Sequence, residues 1–521
     1  MPVAEWFPDQ PAFLSYEQIQ PGAEGGLLAT DYTSNTDTRW RGQLCLGPKV
    51  TNLDLSAVGG TTATVNCGCV APVSMNVNGP HVYLGRGTDP AKVKLSDMSV
   101  IDPGISLSEA ATSMIYTKSA GGTEEVSIGM DNTAYHVIAT VGDSTDTASA
   151  NNQSYKIRIF GYAGADPNSD TGQIAGFGRG GGSTQNLAMQ NVLSGSVTMD
   201  ASNWLQRAVF AGESLVFTGF VLDGRAWLVG TDKGPYYLNA DFKRFVPLIE
   251  ELARSTNHCR GMFRWSVYNG FAFIPLQRSL RTSKNVSYGA SVGVETYREN
   301  RSPVQGQHTC GWASERWAYL PVYNPISDQT YLCAARPRQE GDWHAQQLSY
   351  YPIVTLAAGE ECNFGIYTGT EGARTLPVCV FGRDSNAAYF GEGRVDYFPS
   401  DTSYAYASSG SWYGTELRRD PNRLKRPTRI RFMAENLSSS QTIAVKIKVD
   451  GGSEQTITTV TATDRGEARG WCEVTLRPEE SSSYAGFRLQ PVMTLTSGSA
   501  TASPRIVSPI SMEYQAEEPT K

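Results

Sequence analysis

Ala208-Val209-Phe210, Leu215-Val216-Phe217, Ala226-Trp227-Leu228-Val229-Gly230 and Tyr236-Tyr237-Leu238 follow one another within a single span that opens at Arg207. Short runs of β-branched and aromatic residues, separated by Gly, Asp and Ser, predict strands of about five residues joined by tight turns. The theme recurs at a spacing of about 50 residues. A second unit begins at Cys259 with Met262-Phe263-Arg264-Trp265-Ser266-Val267 and Phe271-Ala272-Phe273-Ile274. A third starts near His308 with Cys310-Gly311-Trp312, Trp317-Ala318-Tyr319-Leu320 and Tyr331-Leu332-Cys333-Ala334. A fourth starts near Cys362 with Phe364-Gly365-Ile366-Tyr367, Val378-Cys379-Val380-Phe381 and Ala388-Tyr389-Phe390. Each unit holds the strands of one blade. A lone blade cannot bury both faces, so the units must stack, and radial stacking predicts a β-propeller.

Upstream, the pattern is less regular. His81-Val82-Tyr83-Leu84-Gly85-Arg86-Gly87 followed by Lys92-Val93-Lys94-Leu95 reads as strand, turn and strand. Ser113-Met114-Ile115-Tyr116, Val126-Ser127-Ile128-Gly129 and Tyr135-His136-Val137-Ile138 read as another blade. The total expected is about six blades, and five or seven also fit the spacing. Asp241 to Ala253 puts Phe242, Phe245, Ile249 and Leu252 on one helical face, which predicts one short helix between blades, started late or kinked by Pro247.

Downstream, Leu417 to Pro427 is dense in charge with two prolines and reads as an inter-domain linker. Beyond it the period changes to clear alternation, in Arg429-Ile430-Arg431-Phe432-Met433 and in Ile443 to Val449, which Asp450-Gly451-Gly452 closes as a hairpin turn. Further strands are expected at Gln455 to Val460, Cys472 to Leu476, Gly486 to Leu495 and Arg505 to Tyr514, enough for a small β-sandwich. The expected organisation is therefore all-β: an N-terminal extension (1–40), a propeller (41–416), a basic linker (417–427), a sandwich (428–516) and a short tail (517–521).

Composition agrees with this reading. The 521 residues are 40% hydrophobic, 10% aromatic and 18% charged, with 52 glycines and 27 prolines, as a globular chain of short strands requires. A net charge of −7 provides no global attraction to nucleic acid, and no run of 18 apolar residues predicts a membrane span. Met1-Pro2-Val3-Ala4-Glu5-Trp6 lacks the basic start and apolar core of a secretory signal, so synthesis in a cytoplasm is expected. The nine cysteines have no CxxC spacing and are expected to be buried thiols.

Gly176-Phe177-Gly178-Arg179-Gly180-Gly181 spells a dinucleotide fingerprint but has no helix to open, so a glycine-rich surface loop is expected. Asp166 to Gly172 alternates oxygen ligands like a calcium loop, yet its glycine is one place late and Phe177 stands where the bidentate Glu belongs; an Asp/Asn-rich turn is expected. The five histidines (His81, His136, His258, His308, His344) sit in no nucleophile elbow and are expected on blade surfaces. Among 51 acidic residues a glycosidase pair can always be proposed, and no SxDxGxTW box of the sialidase type occurs. No catalytic, cofactor or metal site is expected. The one strong basic cluster is Arg418, Arg419, Arg423, Lys425, Arg426, Arg429 and Arg431, which serves either as a solvated linker paired with its own domains or as a contact for an acidic subunit or passing nucleic acid.

Three phrases carry a resemblance. They are Trp227-Leu228-Val229-Gly230-Thr231-Asp232-Lys233-Gly234-Pro235-Tyr236, Tyr83-Leu84-Gly85-Arg86-Gly87-Thr88-Asp89-Pro90-Ala91-Lys92-Val93, and the closing Ile447 to Gly452 with Ser508 to Tyr514. Together with the architecture they resemble the propeller-type tail proteins of tailed bacteriophages, in which a propeller is followed by a β-sandwich and related propellers form the tail nozzle. The resemblance implies a non-enzymatic virion component of the tail or its connector, self-associating in a ring, in contact with other virion subunits and made in the host cytoplasm. Two alternatives stand beside it: a glycan-binding or glycan-cleaving propeller used on host-surface glycan, and a bacterial scaffold or adhesin propeller.

Overall fold

A computed structural model gives the fold. It describes residues 1–9, 30–39, 42–59, 64–71, 80–118, 124–130, 136–139, 146–150, 156–162, 173–179, 186–192, 205–209, 216–222, 226–231, 234–239, 245–247, 261–265, 271–276, 279–284, 287–291, 307–308, 310–324, 328–337, 348–368, 377–384, 386–392, 405–419, 421–435, 437–464 and 469–517.

The propeller is built from antiparallel meanders in which neighbours in sequence are neighbours in the sheet. Six sheets of four strands and one of five lie among the described residues. Their first strands are Val65–Ala71, Ala111–Lys118, Lys156–Tyr162, Val216–Leu222, Phe263–Trp265, Gln307–His308 and Cys362–Tyr367. The blade from Lys156–Tyr162 to Leu205–Val209 is the one that the repeat did not reveal. It takes as its outer strand the Ala208-Val209 run that the sequence assigns to the next unit. The two GTD phrases occupy equivalent places: His81–Arg86 turns into Ala91–Lys94, and Ala226–Thr231 into Gly234–Asn239, each the hairpin between second and third strands.

Blades pack face to face through shared apolar clusters. Trp312, Tyr319 and Leu332 join Cys362, Cys379 and Phe381 across one junction, and Val65, Val82 and Leu84 join Val378 and Val380 across another. A side chain at Gly365 would strike the Trp312 indole, so glycine there sets the close approach of two blades. The ring closes through the chain's early residues: Thr51–Asn52 pairs with Ala387–Gly391 as the outer strand of the last blade, which packs on the first. That closure ties the start of the propeller to its end at the cost of few residues.

The sandwich has two sheets around one core. Val3–Trp6, Ile510–Glu517, Leu424–Glu435 and Arg469–Thr475 form the first in that order, with Arg505–Ile506 beside Leu424–Glu435. Thr30–Ser34, Ser409–Gly414, Leu489–Thr496, Thr442–Val449 and Gln455–Val460 form the second. Trp6, Phe432, Ile430 and Met512 from one meet Trp412, Ile447, Leu489 and Met493 from the other.

Several boundaries move accordingly. Residues 1–40 are not an extension: Val3–Trp6 and Thr30–Ser34 are strands of the two sandwich sheets. The propeller does not run to 416, because Ser409–Gly414 belongs to the sandwich. The linker is not a linker past 423. Leu424 to Pro427 start the long strand Leu424–Glu435, with Pro427 accommodated at a register shift beside Arg429. Phe245–Pro247 is a strand paired to Tyr236–Leu238, not the start of a helix; cross-strand bonding overrides the apolar helical spacing there, and the rest of 241–253 lies outside the described residues. The one α-helix among the described residues, Pro478–Ser483, lies in the sandwich. Gly176 to Arg179 is no loop but part of the second strand of its blade, Gln173–Arg179. Thr147–Ala150 is a further strand, paired to His136–Ala139 in its blade.

Candidate functional site

The basic stretch divides according to the strand's alternation. Lys425 faces inward and is fully buried, its Nζ donating to the Phe487 carbonyl at 2.6 Å, so it offers no surface charge. Arg426, Arg429 and Arg431 face outward. Arg426 meets Glu517 at 3.1 Å, and Arg429 lies between Glu473 at 3.4 Å and Glu513 at 3.5 Å. Arg431 stacks over the exposed Trp471 indole at 4.5 Å. On the preceding connection Arg418 pairs with Glu416 at 2.6 Å, while Arg419 and Arg423 are exposed. The outer face of the first sandwich sheet is thus a lattice of alternating charge around a tryptophan, flanked by exposed Val3. Trp471, Glu473 and Glu513 were not singled out from sequence. The alternation of Trp471-Cys472-Glu473-Val474-Thr475 places Trp471 and Glu473 outward, but only register puts them beside Arg429 and Arg431.

The second sandwich sheet turns its outer face to the propeller. Tyr32 packs on the cluster of Phe263, Trp265, Tyr331 and Tyr350 and stacks on Tyr413 at 4.0 Å. Lys448 stands over Tyr413 at 4.9 Å, and Tyr413 donates to Glu454 at 2.6 Å. The neighbouring Asp31 accepts from Gln490 at 3.0 Å; burial pushes its carboxyl up to about 7, with Gln490 opposing and Glu416 reinforcing the shift.

Between the domains runs a polar, buried segment. Thr33 Oγ1 donates to the Pro352 carbonyl at 2.5 Å, and Thr355 N donates to Asn35 Oδ1 at 2.9 Å. Side chains at Gly47 or Gly410 would strike the Ile353 and Asn35 carbonyls. Arg39 grips Asp37 at 2.8 Å with both side chains buried, and its guanidinium covers the Trp317 ring at 5.3 Å. Nearby, Tyr319 donates to the buried Glu392 at 2.7 Å, whose carboxyl burial raises above the usual range. Where this segment reaches the closing strand, a cleft of about 490 Å³ opens between propeller and sandwich.

Other expectations resolve as follows. Eight of the nine cysteines are described, all buried free thiols, with Cys310 and Cys362 in thiol contact at 3.8 Å across a blade junction. His81 and His308 are not surface residues but buried, at 7% and 3% exposure. Burial lowers His308 to about 4, since a charged imidazole there would lose its hydration. Asp166 to Gly172, His258 and His344 lie outside the described residues. Among the described residues no three His, Cys, Asp or Glu side chains cluster as metal ligands, and no helix is long and apolar enough to cross a membrane.

No family model and no curated protein matches the chain. Among solved structures, it is similar to the extracellular domain of the putative one component system BT4673 from B. thetaiotaomicron, at TM-score 0.41 and 9% identity over 67% of this chain and 41% of that one. It is similar to a chain of the Mitotic Checkpoint Complex at TM-score 0.42 and 12% identity, covering 66% and 93% respectively. A third likeness is to BBS1N in complex with ARL6DN, at TM-score 0.41, 8% identity and coverage of 67% and 96%. The chain spans less than half of the BT4673 extracellular domains it matches. At these scores and identities none of the likenesses bears on what the chain binds.

Proposed function

We propose that this chain is a non-enzymatic structural subunit of a larger assembly, a component of the tail or tail connector of a tailed-phage virion, acting through contacts between subunits. The observation that carries the reading is the outer face of the first sandwich sheet. There an exposed tryptophan is held by Arg431 within a lattice of Arg429, Glu473 and Glu513. Aromatic and arginine residues are the side chains most enriched at the centres of protein interfaces, and charges of both signs around them set register and exclude wrong partners. Arg426, paired with Glu517, continues that face along its strand, while Arg418, paired with Glu416, and the exposed Arg419 and Arg423 lie on the connection between the two sandwich sheets. Their role is register rather than bulk attraction to nucleic acid. The recurrence of the GTD phrase in equivalent hairpins of two blades supports the resemblance to propeller-type tail proteins. Partners are then other virion subunits and further copies of this chain in a ring, assembled after synthesis in the host cytoplasm.

The test is incorporation into particles. Arg418→Glu, Arg419→Glu and Arg426→Glu combined should lower incorporation and particle stability while the isolated subunit keeps its unfolding midpoint. Unchanged particle yield and stability, or a chain that is absent from purified particles, overturns the reading.

A further inference from the structure

The two sandwich sheets end on four strands, Val3–Trp6 and Arg469–Thr475 in the first and Thr30–Ser34 and Gln455–Val460 in the second. An edge strand presents backbone N–H and C=O groups to any strand laid beside it, so proteins cover, shorten, bulge or charge their edges. Three of the four are managed in this way. Thr30–Ser34 is covered by the propeller, where Thr33 donates to the Pro352 carbonyl and Tyr32 packs on the Phe263 cluster. Gln455–Val460 is bulged against Val445 and Lys446, and the Tyr484 hydroxyl donates to its Thr456 carbonyl at 3.3 Å. Val3–Trp6 is only four residues long and carries Glu5 with no cation in the strand.

Arg469–Thr475 is managed by none of these means. It is seven residues long and pairs with Leu424–Glu435 in unbroken register, from Thr475 opposite Arg429 to Arg469 opposite Glu435. No strand lies on its other side among the described residues. Its charges are of both signs, with Arg469, Trp471 and Glu473 at alternate positions, and Trp471 and Glu473 are exposed. Two copies of the strand laid antiparallel about a two-fold axis at Trp471 bring Arg469 of each opposite Glu473 of the other, and Trp471 opposite Trp471. Directly opposed residues of an antiparallel pair have Cβ atoms ~5 Å apart, where opposite charges and aromatic pairs are both favourable. With the axis at Gly470 or Cys472 instead, no Arg–Glu pair forms.

We infer that this edge joins two copies of the chain, antiparallel and symmetric, so that their first sandwich sheets run on as one. The inference rests on the assembly reading for the role of the contact and names a second copy as the partner at that side of the sandwich. A symmetric contact of this kind closes in pairs, so a ring of this chain is built of such pairs through a second surface. Backbone pairing provides the attachment, and the Arg469–Glu473 pairs set the register and reject other strands.

Sedimentation equilibrium of the full chain tests it, with dimers expected at ~100 µM chain. Arg469→Glu sets like charges opposite one another twice, as does Glu473→Arg, and each alone should weaken association about tenfold or more. Mixed together, the two variants complement one another at both positions and should associate within about threefold of the parent, which also shows that both are folded. Trp471→Lys, an edge-guarding charge set against its own copy, should leave a monomer. A parent that stays monomeric, single reversals that associate like the parent, or a mixture no tighter than either variant alone overturns the inference. A monomer that cross-links in particles only to a different subunit overturns it too, and leaves the assembly reading standing. Dimers of a chain that is absent from purified particles uphold the pairing and overturn the assembly reading.

Discussion

Two strands of similar length show how differently the two halves of the molecule are held. Val378–Arg383, in the last blade, is buried at every one of its six positions. Thr442–Val449, in the sandwich, alternates between buried and half-buried positions from its first residue to Ile447. A blade has another blade on each face, so both sets of side chains along its middle strands meet protein. A sandwich sheet has a core on one face only, and its other face meets solvent or, for the second sheet, the propeller. The lesson is that strand periodicity reports how many faces are covered, not merely that a strand is present.

The strongest way to break this contrast is substitution of adjacent residues. Phe381→Ala should cost about 3–5 kcal/mol and the neighbouring Val380→Ala about 2 kcal/mol or more, because each leaves a cavity on an opposite face. In the sandwich strand Ile447→Ala should cost about 2–5 kcal/mol but Thr442→Ala under ~0.5 kcal/mol. Urea unfolding measures all four, and a harmless Val380→Ala refutes burial on both faces.

The joint between the halves comes next. Arg39→Ala strands the buried Asp37 without its partner and should cost about 3 kcal/mol or more, splitting the unfolding of the two domains in calorimetry. A single undivided transition at the parent midpoint would show that the segment does not couple them.

Acid titration should separate the halves by sign. Burial lowers His308 to about 4 in the folded propeller, below the ordinary imidazole value of 6.5, so the unfolded chain binds the extra proton between those values and stability falls as pH drops through that window. His308→Phe should flatten that loss, worth up to about 3 kcal/mol. Asp31 runs the other way: its folded value near 7 exceeds 3.8, so the folded chain holds the proton and stability falls as pH rises from about 4 to 7. Asp31→Asn should therefore stabilise the protein by about 2 kcal/mol at pH 8, an order-of-magnitude figure, and leave it unchanged at pH 3. The reverse dependence would contradict burial of that carboxyl. Least disruptive is Trp471→Ala, expected within ~0.5 kcal/mol of the parent in unfolding while lowering particle incorporation.

Much of this was readable beforehand, for local reasons. Cys362 to Phe390 announces its blade because aromatic and β-branched runs end at glycines, and Ile443 to Val449 announces a one-faced sheet because its period is two. The basic cluster was equally visible, but which of its members reach solvent was not: Lys425 and Arg426 are adjacent and alike in composition, and only the inward turn of Lys425 separates them. Residues 156–209 hid a blade because its two middle strands, Gln173–Arg179 and Asn186–Val192, carry few of the β-branched and aromatic side chains that mark the others.

Composition and periodicity by themselves determined an all-β chain with stacked blades and a sandwich, since those follow from which side chains must leave water within a few residues of one another. Tertiary structure alone decided where the early residues go. Val3–Trp6 and Thr30–Ser34 complete the sandwich, Asp37 and Arg39 weld the domains, and Thr51–Asn52 closes the ring. The partners of these three strands lie more than 300 residues along the chain, at Ala387–Gly391 and beyond, and a pairing set by backbone hydrogen bonds across that separation leaves no periodic mark in either stretch.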